Sequence, residues 1–287
     1  MMADSEVLGR YTGVIVQVMG SISLKSWHIS PRWRIGSGTA IIAITYGGLI
    51  SAKPDSVHGG VGGPAALLAL CGYALGAMLI VSGAMAELPT TTVALIPVAI
   101  TINIVMGKIV YFSGLPLQLD SIGTVLVGIL AGPAAGAATG ALASIVVGMT
   151  ITPGALPYAV TAALIGFVAG MLARAGWFRR VPTSLLAGGV IGVAAGVVSA
   201  PITAFVFGNA GGSVGQSVVI ATFQAYGNSM LKAASLQGLV ADPLDKALTV
   251  ALALTLLAGL PPGYVHRFPF VQRHGVLTVR HPASNRA

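Results

Sequence analysis

The chain has 287 residues, of which 55% are hydrophobic and 8% are charged, whereas a soluble domain carries about 25% charged residues, so a water-facing globular surface is excluded. The net charge of +8 fits cytoplasmic membrane loops, which collect Lys and Arg, better than a nucleic-acid-binding protein, and the single Cys71 excludes an internal disulfide. We therefore predict an all-α integral membrane protein that has a lipid bilayer around it and no nucleic-acid partner.

The chain begins with a predicted cytoplasmic segment, residues 1–34, and two N-terminal transmembrane helices are predicted within residues 35–90, at 35–50 and 64–85. Because a membrane-spanning helix needs about 20 mostly apolar residues, about six further spans follow. They are predicted at 91–113, 121–131, 133–150, 156–173, 183–207 and 243–260. The segment 121–131 is short and ends at Gly132-Pro133, so it is either tilted or continuous with the next segment.

Basic residues set the predicted orientation. They concentrate in residues 1–34, at 174–180 and in a basic tail, residues 263–287. With about eight spans, all three groups lie on the cytoplasmic side, as the positive-inside rule requires. We therefore predict a multi-pass protein of the cell membrane with both termini in the cytoplasm.

The loops on the outer side are then 51–63, 114–120, 151–155 and 208–242. The last is long for a connection inside a compact bundle, and its part 216–240 is apolar enough to be partly helical. Two interpretations remain open, a lid or re-entrant element beside a binding site, and a peripheral amphipathic helix.

Glycines recur at intervals of four residues, which places them on one face of a helix and allows close helix packing. The sets are Gly132, Gly136 and Gly140; Gly166 and Gly170; and Gly188, Gly192 and Gly196. Packing within the chain and docking onto a partner membrane protein both explain this spacing.

Ionisable residues inside membrane spans are costly and are therefore candidates for function. The candidates are Lys108, Asp120, Asp245 and Lys246, all predicted near the outer side, with Asp245 at the positive end of its own helix. Ion pairs that only fix loops are the alternative. With neighbouring polar groups, the predicted substrate-binding residues are Asn103, Tyr111, Gln118, Asp120, Tyr158, Asn209, Gln224, Tyr226, Asn228, Asp245 and Lys246.

Motifs of enzymes and of nucleotide binding are missing from the sequence. It contains no GxxxxGK[ST] loop, no HExxH and no GxSxG, and its five histidines lie outside the predicted spans. We therefore predict no catalytic residue, no metal ligand and no cofactor. Uphill transport would need an ion gradient or another subunit, and the scarcity of carboxylates in the spans favours another subunit.

Two stretches resemble a known family. Residues 115–140 read LPLQLDSIGTVLVGILAGPAAGAATG, and residues 242–246 read DPLDK. Both resemble the substrate-binding (S) components of energy-coupling factor transporters, which carry an LD-x-x-GT stretch, a Gly-Pro break with spaced glycines, and an acidic-Lys pair at the last helix. The resemblance covers about residues 91–262.

The resemblance implies a six-helix bundle that captures a vitamin or related micronutrient, covered by the loops 114–120, 151–157 and 208–242. It also implies partners, a transmembrane coupling subunit and cytoplasmic ATPase subunits, which contact small residues on a helix face. The Ala-x-x-x-Ala docking motif of such proteins is missing between residues 94 and 107, where Ala94, Ala99 and Gly107 are spaced more loosely. The alternatives are a stand-alone secondary transporter or channel, and a membrane sensor or scaffold.

Overall fold

The structure is a computed structural model, and it describes residues 30–52, 64–86, 88–204 and 214–277. All regular elements in these ranges are helical, as predicted. The α-helices are α1 Pro31–Ala52, α2 Pro64–Met85, α3 Thr90–Ser113, α4 Ile122–Ala131, α5 Pro133–Thr150, α6 Ala159–Arg174, α7 Val181–Ile202, α8 Val214–Ala225, α9 Met230–Ala258, α10 Pro262–Val265 and α11 Pro269–His274.

Within the described ranges, four helices are long and apolar enough to cross a membrane. They are Leu67–Met85 within α2, and α3, α5 and α7 in full. The helices α4 and α6 are apolar but shorter. The protein is therefore a helical membrane protein, and the number of eight spans stays a prediction.

The predicted break at Gly132-Pro133 is confirmed, and it is a sharp turn. Gly132 has a φ of 92°, which glycine adopts without strain, and Pro133 occupies the first turn of α5, where its missing N–H costs no hydrogen bond. The chain reverses here, because a Cβ placed on Gly136 would lie 2.9 Å from the Cα of Gly128. Thus α4 is not continuous with α5, and the two form a helical hairpin.

The spaced glycines pack helices of this chain against one another. A Cβ on Gly136 would collide with the carbonyl group of Gly166, where α5 meets α6. A Cβ on Gly192 would collide with the backbone of Asp242 and Pro243, where α7 meets α9. A Cβ on Gly140, Gly166, Gly170 or Gly188 would lie 2.0–2.4 Å from backbone atoms of the neighbouring helix, and a Cβ on Gly196 would lie 3.0 Å from the backbone of Gly238. Packing within the chain therefore explains the spacing.

The prediction for the end of the chain was wrong in one respect. The segment 208–242 was predicted as an outer loop and 243–260 as the last span, but α9 begins at Met230 and continues through Pro243 to Ala258. Helix-breaking residues are tolerated in membrane helices because neighbouring helices satisfy the freed backbone groups. The partial helicity predicted for 216–240 is confirmed by α8 and by the first half of α9.

The two N-terminal helices pack onto the rest of the bundle. α1 and α2 cross at Gly38 and Gly76, where each glycine faces the backbone carbonyl of the other. α2 then shares a buried apolar cluster with α3 and α5, in which Ala77 and Val81 pack with Ile96. Helix α2 is therefore part of the core, and α1 packs mainly against α2.

The chain after α9 closes the end of the bundle where α4 turns into α5. The ring of Phe270 lies 2.8 Å from where a Cβ on Gly132 would stand. Arg179 donates hydrogen bonds to the carbonyls of His274, at 2.9 Å, and Gly275, at 2.8 Å. These contacts fix the first part of the predicted basic tail, and residues 278–287 of that tail lie outside the described ranges.

Candidate functional site

The loop between α3 and α4 re-enters the bundle instead of staying at its end. A Cβ on Gly107 would lie 3.0 Å from the Cβ of Asp120, and Gly123 is in backbone contact with Ala99. The loop 114–121 therefore returns from the end of α3 to about the middle of that helix, and α4 starts there. Residues 114–120 were predicted as an outer loop, and the structure places Leu119 and Ser121, at the end of this loop, among buried residues.

The re-entrant loop meets α9 at a buried ion-paired centre. Lys246 and Asp245 are each only 3% exposed. The Lys246 Nζ lies 2.5 Å from Asp245 Oδ2 and 3.6 Å from Asp120 Oδ1. Buried charges are tolerated only when they are paired and hydrogen-bonded, so this pairing explains why α9 can carry both residues. The Asp120 side chain is 52% exposed and is the accessible part of the centre.

The Asp245 carboxylate also holds the backbone of the loop. Its Oδ1 accepts hydrogen bonds from the N–H groups of Gln118, at 2.8 Å, and Leu119, at 3.0 Å. Its other oxygen faces Lys246. Each oxygen of this carboxylate is thus bonded, one to the loop and one to the ammonium group.

Leu119 adopts a conformation that requires such support. Its φ is 44°, which a residue with a Cβ rarely adopts and which costs on the order of 1–3 kcal/mol. The side chain of Leu119 is 7% exposed, so burial and the bond to Asp245 both hold it in place. Strained backbone of this kind is common at ligand clamps and switch regions.

The start of α4 is fixed by Asn103 of α3. Its Oδ1 accepts a hydrogen bond from the Gly123 N–H at 2.7 Å, and its Nδ2 donates to the Thr124 hydroxyl at 2.8 Å. Asn103 is 3% exposed. Asn103 therefore positions the re-entrant segment, and these bonds already engage both atoms of its amide.

Helix α8 lies on the same loop. The Gln118 side chain donates to Gln216 Oε1 at 3.2 Å. A Cβ on Gly215 would come within 2.7 Å of the Gly114 carbonyl oxygen and of the Pro116 nitrogen. The amide pair and this backbone contact join α8 to the loop.

Asp242 is a site residue that the sequence-based prediction left out. It lies one turn before Asp245 and Lys246 on α9, and its Oδ2 is 3.2 Å from where a Cβ on Gly196 would stand. Within the described part of the chain its carboxylate accepts no hydrogen bond. The i, i+3 and i+4 spacing of DPLDK was the signal that could have identified it.

The centre contains more carboxylates than ammonium groups. Asp120, Asp242 and Asp245 surround Lys246, the one cation that the described residues place at this centre, and Lys246 interacts electrostatically with all three. In the described ranges, no group of three or more His, Cys, Asp or Glu residues is arranged to hold a metal ion. The excess of carboxylates gives this part of the bundle a negative character.

The structure brings Gln118, Asp120, Asp245 and Lys246 together. However, Asp245 lies in the second half of α9, so its predicted place at the positive end of that helix was wrong. The boundary had been assigned to Pro243, a residue that often starts helices.

Two other predicted residues, Tyr111 and Tyr158, make contacts of a different kind. Tyr111 is 49% exposed and packs edge-on against Phe112, with Lys108 over its ring. Tyr158, at the start of α6, shares a hydrogen bond of 2.9 Å with Thr203.

The predicted residues at the end of α8 do not reach the ion-paired centre through any hydrogen bond in the described ranges. Gln224 and Tyr226 are exposed, and Asn228 donates to the Phe223 carbonyl at 2.8 Å. That bond closes the turn after α8. Asn209 lies outside the described residues.

A cavity of about 230 Å³ opens between α1, α7 and α9. It is lined by Tyr46, Gly196, Val197, Pro201, Leu231, Ser235 and Leu239. Gly196 thus separates this cavity from Asp242.

Comparisons with known proteins identify no relative. No family model, no curated protein and no solved structure matches the chain. The sequence patterns and the geometry of the buried centre therefore carry the functional argument.

Proposed function

We propose that this chain is the membrane-embedded substrate-binding subunit of an energy-coupling factor importer. It would capture a vitamin or related micronutrient at the outer face of the cell membrane. It would rely on a separate transmembrane coupling subunit and on cytoplasmic ATPase subunits for energy. In this proposal the chain has no catalytic activity of its own and no cofactor.

The observation that carries the proposal is the meeting of the two family-like stretches. Asp120 belongs to the LD-x-x-GT stretch, and Lys246 belongs to the DPLDK stretch. The two residues form an ion pair, although they lie in distant parts of the sequence. Ionisable groups in membrane bundles are costly and usually mark a path or a site. A shared role of the two stretches explains their proximity.

The surroundings of Asp120 suit the capture of a small solute. A binding site needs an apolar wall with a few convergent polar groups. The half-exposed carboxylate of Asp120 and the amides of Gln118 and Gln216 supply polar groups. The buried faces of α3 and α4 supply apolar side chains.

The loosely spaced small residues of α3, where the docking motif is missing, do not form a docking face. Ala99 is buried against Gly123, and Gly107 faces Asp120. Only Ala94 of the three is exposed. A coupling subunit would therefore contact another face of the protein.

Co-expression with coupling and ATPase subunits of an energy-coupling factor importer tests the proposal. An affinity tag on this chain is expected to retain all of these subunits in mild detergent. Liposomes that contain only this chain are expected to show no solute or ion flux. Flux through the chain alone, without any retained subunit, would instead show a stand-alone transporter or channel.

The matched variants are Asp120→Asn and Asp4→Asn. Asp120→Asn removes the accessible carboxylate of the centre, whereas Asp4→Asn removes a carboxylate of the N-terminal segment. Uptake by the assembled importer is expected to fall only for Asp120→Asn. Equal uptake by both variants would remove Asp120 from the proposed site.

A further inference from the structure

The turn between α6 and α7 carries two arginines on a fixed backbone. Arg174 lies in the last turn of α6, and Arg180 directly precedes α7. The Arg180 carbonyl accepts hydrogen bonds from the hydroxyls of Thr183, at 2.9 Å, and Ser184, at 2.8 Å. Arg179, in the same turn, is bonded to the chain after α9. The turn is therefore held on two sides, and the backbone positions of its arginines are defined.

The described carboxylates do not neutralise these arginines. In the described ranges the only carboxylates are the three at the ion-paired centre. Gly188 of α7 lies against the backbone of Lys246 at that centre, and Arg180 precedes Gly188 by two turns of helix, which is about 12 Å. Arg174 and Arg180 are both exposed, and neither forms a salt bridge within the described part of the chain. The turn thus presents positive charge that no described residue compensates.

Exposed apolar side chains lie directly beside both arginines. Met171, three residues before Arg174 and therefore on the same face of α6, is 43% exposed, and Val181, next to Arg180, is 71% exposed. Helix α7 is long and apolar enough to cross a membrane, and it begins at Val181. The turn therefore lies at the edge of the hydrocarbon region. Trp177, in the same turn, is of a residue type that is enriched at this boundary.

The chain after α9 adds positive charge to the same end of the bundle. Arg267 and Arg273 are exposed, and the bonds from Arg179 to the carbonyls of His274 and Gly275 hold this chain beside the turn. Each basic residue near a membrane surface strengthens binding to anionic lipids by about fivefold. Because Arg267 and Arg273 do not directly adjoin the apolar faces of α6 and α7, we expect them to contribute less than the two arginines of the turn.

We propose that the α6–α7 turn binds an anionic phospholipid, with Arg174 and Arg180 contacting its phosphate and its acyl chains lying along Met171 and Val181. A free phosphate or an acidic protein surface in water would match the arginines but leave the apolar side chains without a partner. A molecule that is anionic at one end and apolar at the other matches both parts of the surface. A zwitterionic lipid binds more weakly, because its own cation competes with the arginines for the phosphate. The proposal does not depend on the proposed import function.

Quenching of Trp177 fluorescence by brominated lipids tests the proposal. The full chain carries Trp27→Phe and Trp33→Phe, so that Trp177 is its only tryptophan. It is placed in phosphatidylcholine bilayers that contain increasing amounts of brominated phosphatidylglycerol, or of brominated phosphatidylcholine as the zwitterionic reference. The two quenching curves give the relative affinity of the two lipids at the turn. We expect phosphatidylglycerol to be preferred by about fivefold or more, and the preference to fall as salt is raised, because exposed charges are screened.

The test variant combines Arg174→Gln with Arg180→Gln, which removes both cations of the turn. Its preference for phosphatidylglycerol is expected to fall close to one. Both arginines are exposed, so the fold should be retained, and quenching by brominated phosphatidylcholine equal to that of the wild type verifies this. The matched control combines Lys108→Gln with Lys232→Gln, which removes the same charge outside the turn. The control should keep the wild-type preference.

Several results would overturn the proposal. They are equal affinity of the wild type for both lipids, and a preference that survives in the double arginine variant. An equal loss in the lysine control would show that the preference follows the net charge of the chain. A greater loss for Arg267→Gln combined with Arg273→Gln would place the lipid on the chain after α9. Displacement of phosphatidylglycerol by inorganic phosphate, but not by chloride at the same ionic strength, would show a site for a free anion. No solute or partner subunit is present, so the outcome is separate from that of the uptake experiment.

Discussion

The ammonium group of Lys246 lies 3.6 Å from the carboxylate of Asp120, and this contact joins the last long helix to a loop that re-enters the bundle after α3. Lys246 is almost completely buried, whereas Asp120 is half exposed. The pair therefore connects the interior of the bundle with its accessible side. We expect Lys246 to matter mainly for the stability of the fold and Asp120 mainly for solute capture.

Removal of Lys246 should strongly destabilise the fold. Lys246→Ala leaves the buried carboxylate of Asp245 without its cation, and the loss of one partner of a buried pair costs about 3–5 kcal/mol. The control is Lys108→Ala, since Lys108 is only partly buried and forms no salt bridge in the described ranges. Thermal unfolding in detergent should show a large decrease in unfolding temperature for Lys246→Ala and a small decrease for Lys108→Ala. Similar decreases in the two variants would contradict the role of the buried pair.

Asp120→Asn should affect solute capture more than stability. An ion pair with a well-exposed partner contributes roughly 0–1 kcal/mol to folding, and the backbone bonds of the loop to Asp245 remain. The unfolding temperature is expected to stay close to that of the wild type, while solute uptake falls. A large loss of stability with normal uptake per folded molecule would identify Asp120 as a structural residue only.

Asn103→Leu tests whether this buried amide is structural. The change leaves the Gly123 N–H without its acceptor and the Thr124 hydroxyl without its donor, and each unsatisfied buried group costs about 1–3 kcal/mol. We expect a lower unfolding temperature for Asn103→Leu than for Tyr111→Leu at an exposed position. A stable Asn103→Leu variant that no longer captures solute would instead place Asn103 in the binding site.

The crossing of α7 and α9 can be tested with two neighbouring glycines. Gly192→Ala places a methyl group against the backbone of Asp242 and Pro243, so the helices must separate. Gly189→Ala meets no atom within 4 Å, and alanine is favoured over glycine in a helix by about 1 kcal/mol. Unfolding measurements should show a destabilised Gly192→Ala variant and a neutral or slightly stabilised Gly189→Ala variant. The reverse order would contradict the packing of these helices.

Local patterns in the sequence predicted the features that depend on neighbouring residues. The break at Gly132-Pro133, the helical nature of the chain and the close packing at Gly136 and Gly192 all follow from backbone freedom and missing side chains. The sequence analysis placed Asp120 and Lys246 near the same side and left ion pairing as an alternative, but it did not predict that these two residues meet. No local pattern relates two segments so far apart in the chain.

Features that depend on long-range contacts could not be read from the sequence. Pro243 looked like a helix start, but packing against α7 keeps α9 helical through it. The depth of the loop 114–121 depends on bonds to Asp245, and the polar residues Tyr111 and Tyr226 turned out to be exposed. Polarity alone does not show whether a residue near a helix end points toward a site.

Native mass spectrometry of the full-length chain, purified from cells grown in rich medium, tests the central claim most directly. The proposal predicts a small bound molecule in the wild-type protein, which is lost on gentle activation and missing in the Asp120→Asn variant. Asp4→Asn should retain the molecule. A wild-type chain that carries no small molecule, or equal occupancy in Asp120→Asn, would contradict a solute site at the pair of Asp120 and Lys246.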